Sequence, residues 1–291
     1  MLRVLFFGGM GRFSAQHLAA LAPAHLVVGV FVASAHDGAR AHIGRWMRSV
    51  RLRSDPCGDV ARHHGIPRWF APRNPTSLQA RVATLRPDVI CVAGYPRLLP
   101  AAVCEIPELG AFNSHAALLP RHRGILPLFW VYYRNDAQAG VTIHRLSERA
   151  DAGDILAQDA HALARGFPVE TLNISNAERG SRLLLEVLNA ACAGRLQPQP
   201  QDDALATTAP FVHKGSAMTD FRWDVERVWH LLAGLYPWFQ EPLRDDAGAP
   251  VRYSAVLGYE RKDHRERPGS VRRTAGGTTL YCEGGVVRLG H

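Results

Sequence analysis

Two apolar runs near the start of the chain are separated by a stretch with helical spacing, and this pattern restricts the possible folds more than any other feature. The runs LRVLFF (2–7) and LVVGVFVA (26–33) are rich in β-branched and aromatic residues, as buried strands are. FSAQHLAALA, between them, repeats apolar residues at the period of an α-helix. The pattern predicts a βαβ unit, which contains parallel strands.

Three later runs extend the same sheet. DVICVAGY (88–95) and GAFNSHA (110–116) are apolar, whereas GVTIHRL (140–146) alternates and is expected to be more exposed. Runs of this type with helices between them predict an α/β fold with a Rossmann-like, mostly parallel sheet covered on both faces. Ligands of such sheets bind beyond the carboxyl ends of the strands.

The length of 291 residues exceeds that of an ordinary single domain, so a second, smaller domain is expected. A helical pattern over 171–193 gives way to RLQPQPQDDALATTAP, which its Pro, Gln and Asp content marks as a linker. We therefore predict a larger domain over 1–195, a linker over 196–209, and a domain over 210–291. The last contains one helical pattern and several short strand patterns, so it is predicted to be β-rich.

Composition limits the possible partners and the cellular compartment. The formal charge of +8 favours an anionic partner, such as a nucleic acid or a nucleotide-linked metabolite. No apolar run approaches the roughly 20 residues of a membrane span, so no membrane partner is expected. Five cysteines without a CxxC pair indicate reduced thiols and a cytoplasmic protein, and the histidines show no spacing typical of a metal site.

FGGMGRFS (7–14) follows the first strand and opens the first helix, where backbone N–H groups favour an anion. A nicotinamide site would also need an acidic residue at the end of the second strand, where Ser34 and His36 stand instead. The alternative is a tight glycine turn without a ligand. A second basic segment carries Arg40, Arg45, Arg48, Arg51 and Arg53 around Trp46, and either contacts phosphates or forms a solvated helical face.

Two polar side chains share one face where the strand GAFNSHA ends. Strand residues alternate between faces, so Asn113 and His115 point the same way. The segment ADAGDILAQ, after the next strand, carries Asp151 and Asp154. In one interpretation, His115 is a structural residue and the segment forms a surface Asx turn. In the other, Asp151 orients His115 and stabilises its imidazolium form, as a third group does in nucleophile–base constellations.

These residues, taken in order, resemble the signature of the folate-dependent formyltransferases. The resemblance rests on Asn113-Ser114-His115, Leu118-Leu119-Pro120, Arg123-Gly124, Pro127, the GVTIH strand and Asp151-Ala152-Gly153-Asp154. That family includes methionyl-tRNA formyltransferase, glycinamide ribonucleotide transformylase and the amino-sugar N-formyltransferases. KGSAMTDFRWD, LYPWF and PGSVRR resemble the linker and C-terminal domain of the tRNA enzyme, which implies an OB-like β-barrel for the second domain.

The resemblance implies an N-formyltransferase that uses 10-formyltetrahydrofolate as co-substrate and needs no metal. It implies that Asn113, His115 and Asp151 are catalytic. The cofactor-binding residues that it implies are Arg97, Leu98, Leu99, Asp151 and Asp154. For the acceptor, we expect Gly9 and Gly11 of the glycine loop, with Arg12, to lie near its phosphate.

Departures from the family pattern bear on the acceptor. His115-Ala116-Ala117 replaces the usual His-Pro-Ser and predicts a looser turn, and Pro237-Trp238-Phe239-Gln240 replaces the tRNA enzyme's Pro-Trp-Pro-Gly. We therefore expect a small anionic amine, such as a nucleotide-linked amino sugar or a natural-product intermediate. Methionyl-tRNA formyltransferase is the alternative. A formyltetrahydrofolate hydrolase and a non-catalytic folate- or RNA-binding module are further alternatives, and the oligomeric state is not predicted.

Overall fold

A computed structural model describes residues 1–33, 55–213, 215–274 and 277–290. Two compact units are present. Unit 1 comprises Met1–Leu128, Gln138–His161 and Asn173–Pro210, and unit 2 comprises Phe129–Ala137, Ala162–Leu172 and Phe211–His291. The predicted boundaries at 195 and 209 stay predictions. Outside the described residues lie Ser34, His36 and the arginine-rich segment with Arg40, Arg45, Trp46, Arg48, Arg51 and Arg53.

Unit 1 contains a seven-stranded sheet with the order β3-β2-β1-β4-β5-β6-β7. β1 pairs in parallel with β2 and β4, β2 with β3, and β4 with β5, whereas β6 is antiparallel to β5. The mostly parallel sheet predicted from the sequence is thus confirmed. The strands are β1 Arg3–Gly8, β2 Leu26–Val32, β3 Arg68–Phe70, β4 Val89–Ala93, β5 Ala111–His115, β6 Gln138–Arg145 and β7 Ile155–Ala162.

Helices cover both faces of this sheet. Val4 and Phe6 of β1 belong to a core that includes residues of α1, α2 and α6. Leu5 and Phe7 point the other way, into a core shared with α3 and α4. The described helices are α1 Arg12–Ala24, α2 Pro56–His63, α3 Pro75–Leu85, α4 Ala101–Cys104, α5 Pro127–Tyr133, α6 Val169–Cys192 and α7 Val225–Leu235.

The prediction that β6 is more exposed than its neighbours is wrong. Six of its eight residues are buried, from Ala139 to His144. β6 lies between β5 and β7 in the sheet, so it is not an edge strand. Thr142 and His144 alternate with apolar residues along β6, but both polar side chains are buried and do not face solvent. Buried polar groups require hydrogen-bond partners.

Unit 2 contains a four-stranded antiparallel sheet with the order β10-β13-β12-β11 and a two-stranded sheet of β8 and β9. Val225, Val228 and Leu232 of α7 pack in one core with Leu280 and Val287 of the larger sheet. The β-rich C-terminal region is thus confirmed. Its strands are β8 Leu243–Arg244, β9 Pro250–Val251, β10 Ala255–Arg261, β11 Val271–Thr274, β12 Gly277–Cys282 and β13 Gly285–Gly290.

Candidate active site

Three strands of unit 1 end at the same level of the sheet. Ala93, the last residue of β4, pairs with Gly8 of β1 on one side and with Ser114 of β5 on the other. Gly9, Gly94 and His115 therefore follow or close neighbouring strands at one edge of the sheet. This is the edge at which parallel α/β sheets bind their ligands.

Asn113, His115 and Asp151, predicted to converge, lie together at this edge. The Asn113 Nδ2 atom donates to Asp151 Oδ1 at 3.2 Å, and Asp151 Oδ2 lies 3.7 Å from His115 Nδ1. Asp151 has a positive φ of 50°, which Asp tolerates better than most residues. The backbone N–H of Gly124 donates to its Oδ2 atom at 2.9 Å. The carboxylate thus has neighbours on two segments, the strand β5 and the loop that contains Gly124.

The hydrogen bonds of His115 indicate which ring nitrogen carries its proton. Nε2 lies 2.8 Å from the carbonyl oxygen of His122, and because a carbonyl only accepts, Nε2 must carry a hydrogen. Nδ1 then holds the lone pair of the neutral ring. Its distance of 3.7 Å from Asp151 exceeds the roughly 2.7 to 2.9 Å of a charge-assisted N–H···O bond. His115 is therefore arranged to receive a proton at Nδ1, beside a carboxylate.

His144 is the site residue that sequence reasoning missed. It is fully buried and pairs across the strands with Asn113. Its Nδ1 atom lies 2.8 Å from the carbonyl oxygen of Arg145 and carries the hydrogen, so Nε2 accepts from Asn113 Nδ2 at 3.0 Å. Both hydrogens of the Asn113 amide thus have partners in the cluster, Asp151 and His144.

The charges of the cluster are coupled. Burial lowers the pKa of His115, and Asp151 offsets part of this effect by raising it. Burial raises the pKa of Asp151, but the positive charges that His115 and His144 carry when protonated, together with the N–H of Gly124, outweigh burial, so this pKa lies below its usual value. The pair therefore consists of a neutral imidazole and an ionised carboxylate at neutral pH.

The turn after His115, which the sequence predicts to be loose, is tied to the sheet by two side chains. Thr142 Oγ1 donates to the carbonyl of Ala117 at 2.7 Å and accepts from the N–H of Leu119 at 3.1 Å. Gln158 Nε2 donates to Leu119 O at 2.8 Å and to Thr142 Oγ1 at 2.9 Å. Thr142 pairs directly with His115 across β5 and β6. These bonds anchor the turn despite its two alanines.

The opposite face of β5 rests on a buried polar contact. Ser114 Oγ lies 2.8 Å from Nε2 of His17, whose Nδ1 lies 2.8 Å from the carbonyl of Phe13. A Cβ atom at Gly180 would lie 2.7 Å from Ser114 Oγ, so α6 approaches this contact as closely as only glycine allows. Burial lowers the pKa of His17 to about 4. β5 is therefore fixed from behind by a neutral histidine.

Three of the five residues predicted to bind the cofactor, Arg97, Leu98 and Leu99, follow β4. The Arg97 guanidinium donates to the Tyr95 hydroxyl at 2.5 and 3.0 Å and to the carbonyl of Ala71 at 3.1 Å. Leu98 is 62% exposed, whereas Leu99 is buried in the core under the sheet. Arg97 and Leu98 thus lie at the ligand-binding edge, and Leu99 supports the segment from below.

The predicted acceptor loop lies beside this segment. Gly9 donates its N–H to Ser14 Oγ at 2.8 Å, and a Cβ atom at Gly9 would lie 2.7 Å from the carbonyl oxygen of Gly94. Gly11 caps α1, and Arg12, its first residue, is exposed. Only a residue without a side chain fits at Gly9, so the loop and the segment after β4 approach each other backbone to backbone.

Asp154, the remaining predicted site residue, lies just before β7. It is half-buried, and its carbonyl oxygen accepts the N–H of Arg145 at 2.9 Å.

In the described part of the chain, no group of three His, Cys, Asp or Glu residues is arranged to hold a metal ion. Among the described helices, none has the length and apolar character to cross a membrane.

The sequence of this chain is similar to those of known proteins. A family model described as formyl transferase matches residues 2–188. A methionyl-tRNA formyltransferase of Pseudomonas paraeruginosa is 32% identical over 290 residues, which cover 98% of this chain and 89% of that protein. Asn113, His115 and Asp151 lie within the range that the family model matches.

Solved structures share the fold at lower identity. An N-formyltransferase from Helicobacter canadensis, in complex with folinic acid and dTDP-3-aminofucose, matches with a TM-score of 0.68 and 12% identity over 100% of both chains. HypX from Aquifex aeolicus, in complex with tetrahydrofolic acid, matches with a TM-score of 0.61 and 17% identity. That match covers 99% of this chain and 43% of HypX, so the chain spans less than half of that protein.

Proposed function

Because the chain belongs to the formyltransferase family, we propose that it transfers a formyl group from 10-formyltetrahydrofolate to a primary amine, with Asn113, His115 and Asp151 as catalytic residues. One observation carries the proposal: the Nε2 atom of His115 is held by the His122 carbonyl, which leaves Nδ1, beside Asp151, as the basic nitrogen. A base of this kind can take a proton from an amine during acyl transfer.

The residues at the sheet edge fit a folate co-substrate. The exposed side chain of Leu98 offers an apolar surface to an aromatic ring, and the Tyr95 hydroxyl and Arg97 guanidinium provide polar groups beside it. The formal charge of +8 favours the anionic glutamate end of a folate. A relative of this fold from Helicobacter canadensis holds folinic acid in its crystal structure, which supports the same ligand class here.

In the proposed reaction the amine nitrogen attacks the formyl carbon, and the carbonyl π pair moves onto the formyl oxygen. His115 Nδ1 takes the proton that the amine loses. The resulting imidazolium carries an N–H beside the Asp151 carboxylate, so the pair gains an ionic contact as the oxyanion forms. The oxyanion pair then re-forms the carbonyl as the bond from carbon to N10 breaks. N10 keeps the electron pair of that bond and takes the Nδ1 proton from His115, which becomes neutral again.

Asn113 is proposed to donate an amide hydrogen to the oxyanion. Its two hydrogens point to Asp151 and His144 at 3.2 and 3.0 Å, so one of them must turn to the developing charge. Such a donor contributes roughly 3 to 4 kcal/mol to lowering a barrier of this type.

Two acceptors are compatible with this chemistry. The departures at Ala116-Ala117 and at Phe239-Gln240 favour a small anionic amine, such as a nucleotide-linked amino sugar, and the glycine loop with Arg12 would then lie near its phosphate. The match to a methionyl-tRNA formyltransferase over 98% of the chain favours initiator methionyl-tRNA as the second candidate. The β-rich C-terminal region and the positive charge agree with this candidate.

An acceptor screen tests the proposal. The full chain would be mixed with 10-formyltetrahydrofolate and either charged initiator tRNA or a panel of amino-sugar nucleotides and amino acids, and tetrahydrofolate release would be followed by absorbance. Release that depends on one amine and disappears in His115→Ala supports formyl transfer and identifies the acceptor. Release without any amine would identify a hydrolase, and release unaffected by His115→Ala would remove the proposed mechanism.

A further inference from the structure

Residues 199–209, here called the strap, run along the loops that carry the His115 cluster. Gln199 and Ile155 exchange backbone hydrogen bonds of 2.8 and 2.9 Å at the start of β7. Further along, Arg123 and Thr208 form a second backbone bridge. The sequence assigns these residues to a linker, but both of their bridges bind them to unit 1.

Gln201 connects the Asp151 loop to the loop after His122. Its Nε2 atom donates to the carbonyl oxygens of Asp151 at 2.9 Å and Gly153 at 2.7 Å. Its Oε1 atom accepts from Nε and Nη2 of Arg123 at 3.0 and 2.8 Å. The carboxamide therefore uses both of its donors and its acceptor to hold two loops that lie far apart in the chain.

Thr207 fixes the other loop. Its Oγ1 atom accepts the backbone N–H of His122 at 2.8 Å, and its carbonyl accepts the N–H of Arg123 at 2.8 Å. Ala209 donates to the carbonyl of Arg123 at 2.6 Å. His122 has a positive φ of 61°, a conformation that needs support from its surroundings. The strap thus binds both peptides that flank the His122 α-carbon, including the one whose carbonyl holds His115.

The two loops flank His115 on opposite sides. Asp151, on the first loop, faces Nδ1, and the His122 carbonyl, on the second, accepts from Nε2. We propose that the strap is a positioning device for His115, in which Gln201 sets the Asp151 loop and Thr207 sets the His122 carbonyl. Together they keep the proton of the neutral ring on Nε2 and the lone pair on Nδ1. This inference rests on the proposed role of His115 as the base.

The tautomer of His115 can be measured without any substrate. Protein labelled with ¹⁵N in its histidines would be titrated by two-dimensional NMR, which separates protonated from unprotonated Nδ1 and Nε2, and His115→Asn would assign the signals. The substitution Thr207→Val removes the hydroxyl at nearly constant shape, whereas Thr207→Ser keeps it. Gln201→Leu has Gln199→Ala as its matched control, because Gln199 is bound to β7 through its backbone.

We expect wild type, Thr207→Ser and Gln199→Ala to show the Nε2–H tautomer. Thr207→Val and Gln201→Leu should populate the Nδ1–H tautomer measurably and titrate at lower pH. Burial and repulsion from the rings of His144 and His122 lower the pKa of His115, whereas the Asp151 charge and the bond to the His122 carbonyl raise it. Because the two variants weaken the raising contacts, the pKa of His115 should fall. An unchanged tautomer and titration in Thr207→Val would overturn the proposal, as would equal changes in Gln199→Ala and Gln201→Leu.

Kinetics provide a second readout once an acceptor is identified. Thr207→Val should lower kcat about tenfold, because it removes the hydrogen bond between Thr207 Oγ1 and the N–H of His122. KM for 10-formyltetrahydrofolate should stay within about twofold of the wild-type value. Thr207→Ser should restore most of kcat. A change in KM alone would contradict the positioning role. The NMR result stands even if the chain proves not to transfer formyl groups, so the two hypotheses can fail separately.

Discussion

Two regions at the same edge of the sheet differ in how firmly they are held. Asn113 donates to both Asp151 and His144, His115 is bound to a backbone carbonyl, and His144 is fully buried. The neighbouring loop and the segment after β4 are more open: Met10 is 40% exposed and Leu98 is 62% exposed.

The difference matches two different tasks. A group that moves protons works only in a fixed geometry, because small displacements greatly reduce the rate. A surface that binds a large ligand needs accessible apolar and polar groups instead. Changes in the first region should therefore act on kcat, and changes in the second should act on KM.

The largest effect is expected from Asp151→Asn. This substitution keeps the shape of the side chain but removes the charge that stabilises the imidazolium of His115, so kcat should fall about a thousandfold or more. Initial rates of tetrahydrofolate release measure it, and the unfolding midpoint controls for stability. A loss of less than about tenfold would show that the carboxylate is not part of the reaction.

A second prediction concerns the back of β5. Because the pKa of His17 is about 4 in the folded protein and near 6.5 when unfolded, the unfolded state binds more protons between these values. The wild type should therefore lose stability as the pH falls from 6.5 to about 4, with roughly 3 kcal/mol, or a hundredfold, coming from His17.

Urea unfolding at several pH values tests this contribution. His17→Gln should show a smaller loss of unfolding free energy across the window, whereas His63→Gln, a change at an exposed histidine, should behave as wild type. Equal losses in His17→Gln and wild type would mean that His17 is not held neutral behind the active-site strand.

In the more open region, Arg97→Ala should raise KM for 10-formyltetrahydrofolate about tenfold, the effect of losing one hydrogen bond from a charged group. kcat should change little, because Arg97 is not part of the His115 cluster. The control is Arg81→Ala, because Arg81 of α3 stacks on the ring of Trp69. If Arg97→Ala lowered kcat with unchanged KM, the division between the two regions would be wrong.

The smallest effect is a displacement of the pH profile. A base must be neutral to act, and burial lowers the pKa of His115 despite Asp151, so activity should fall on the acid side with a midpoint below 6.5. In the residual activity of Asp151→Asn, the midpoint should move to lower pH than in the wild type, because the Asp151 charge that raises the pKa of His115 is gone. A wild-type midpoint above 6.5 would contradict a desolvated base.

Much of the fold can be predicted from local patterns. The strands β1, β2, β4 and β5 are continuous apolar runs, and α6 has a long helical repeat, so each was predicted within a few residues. α2 and α3 have weaker apolar patterns and were not predicted. Their signals lie in the caps: Asp55 and Asn74 accept backbone N–H groups three residues on, and a proline follows each.

The site was only partly predictable. Alternation along one strand brings Asn113 and His115 to one face, which needs no tertiary information. His144 could not be placed because the register between β5 and β6 is set by the folded sheet. Gln201 binds backbone carbonyls about 50 residues away, and such contacts leave no local pattern, so its Pro-rich and Gln-rich surroundings suggested a linker.

The central claim is that the His115 cluster transfers a formyl group to an amine. It is tested most directly by following ¹³C-labelled formyl from 10-formyltetrahydrofolate with mass spectrometry, in parallel reactions of wild type and Asp151→Asn with the acceptor found in the screen. We expect the label on the acceptor nitrogen with wild type and almost none with Asp151→Asn. Label recovered only as formate, or equal transfer by both proteins, would contradict the account.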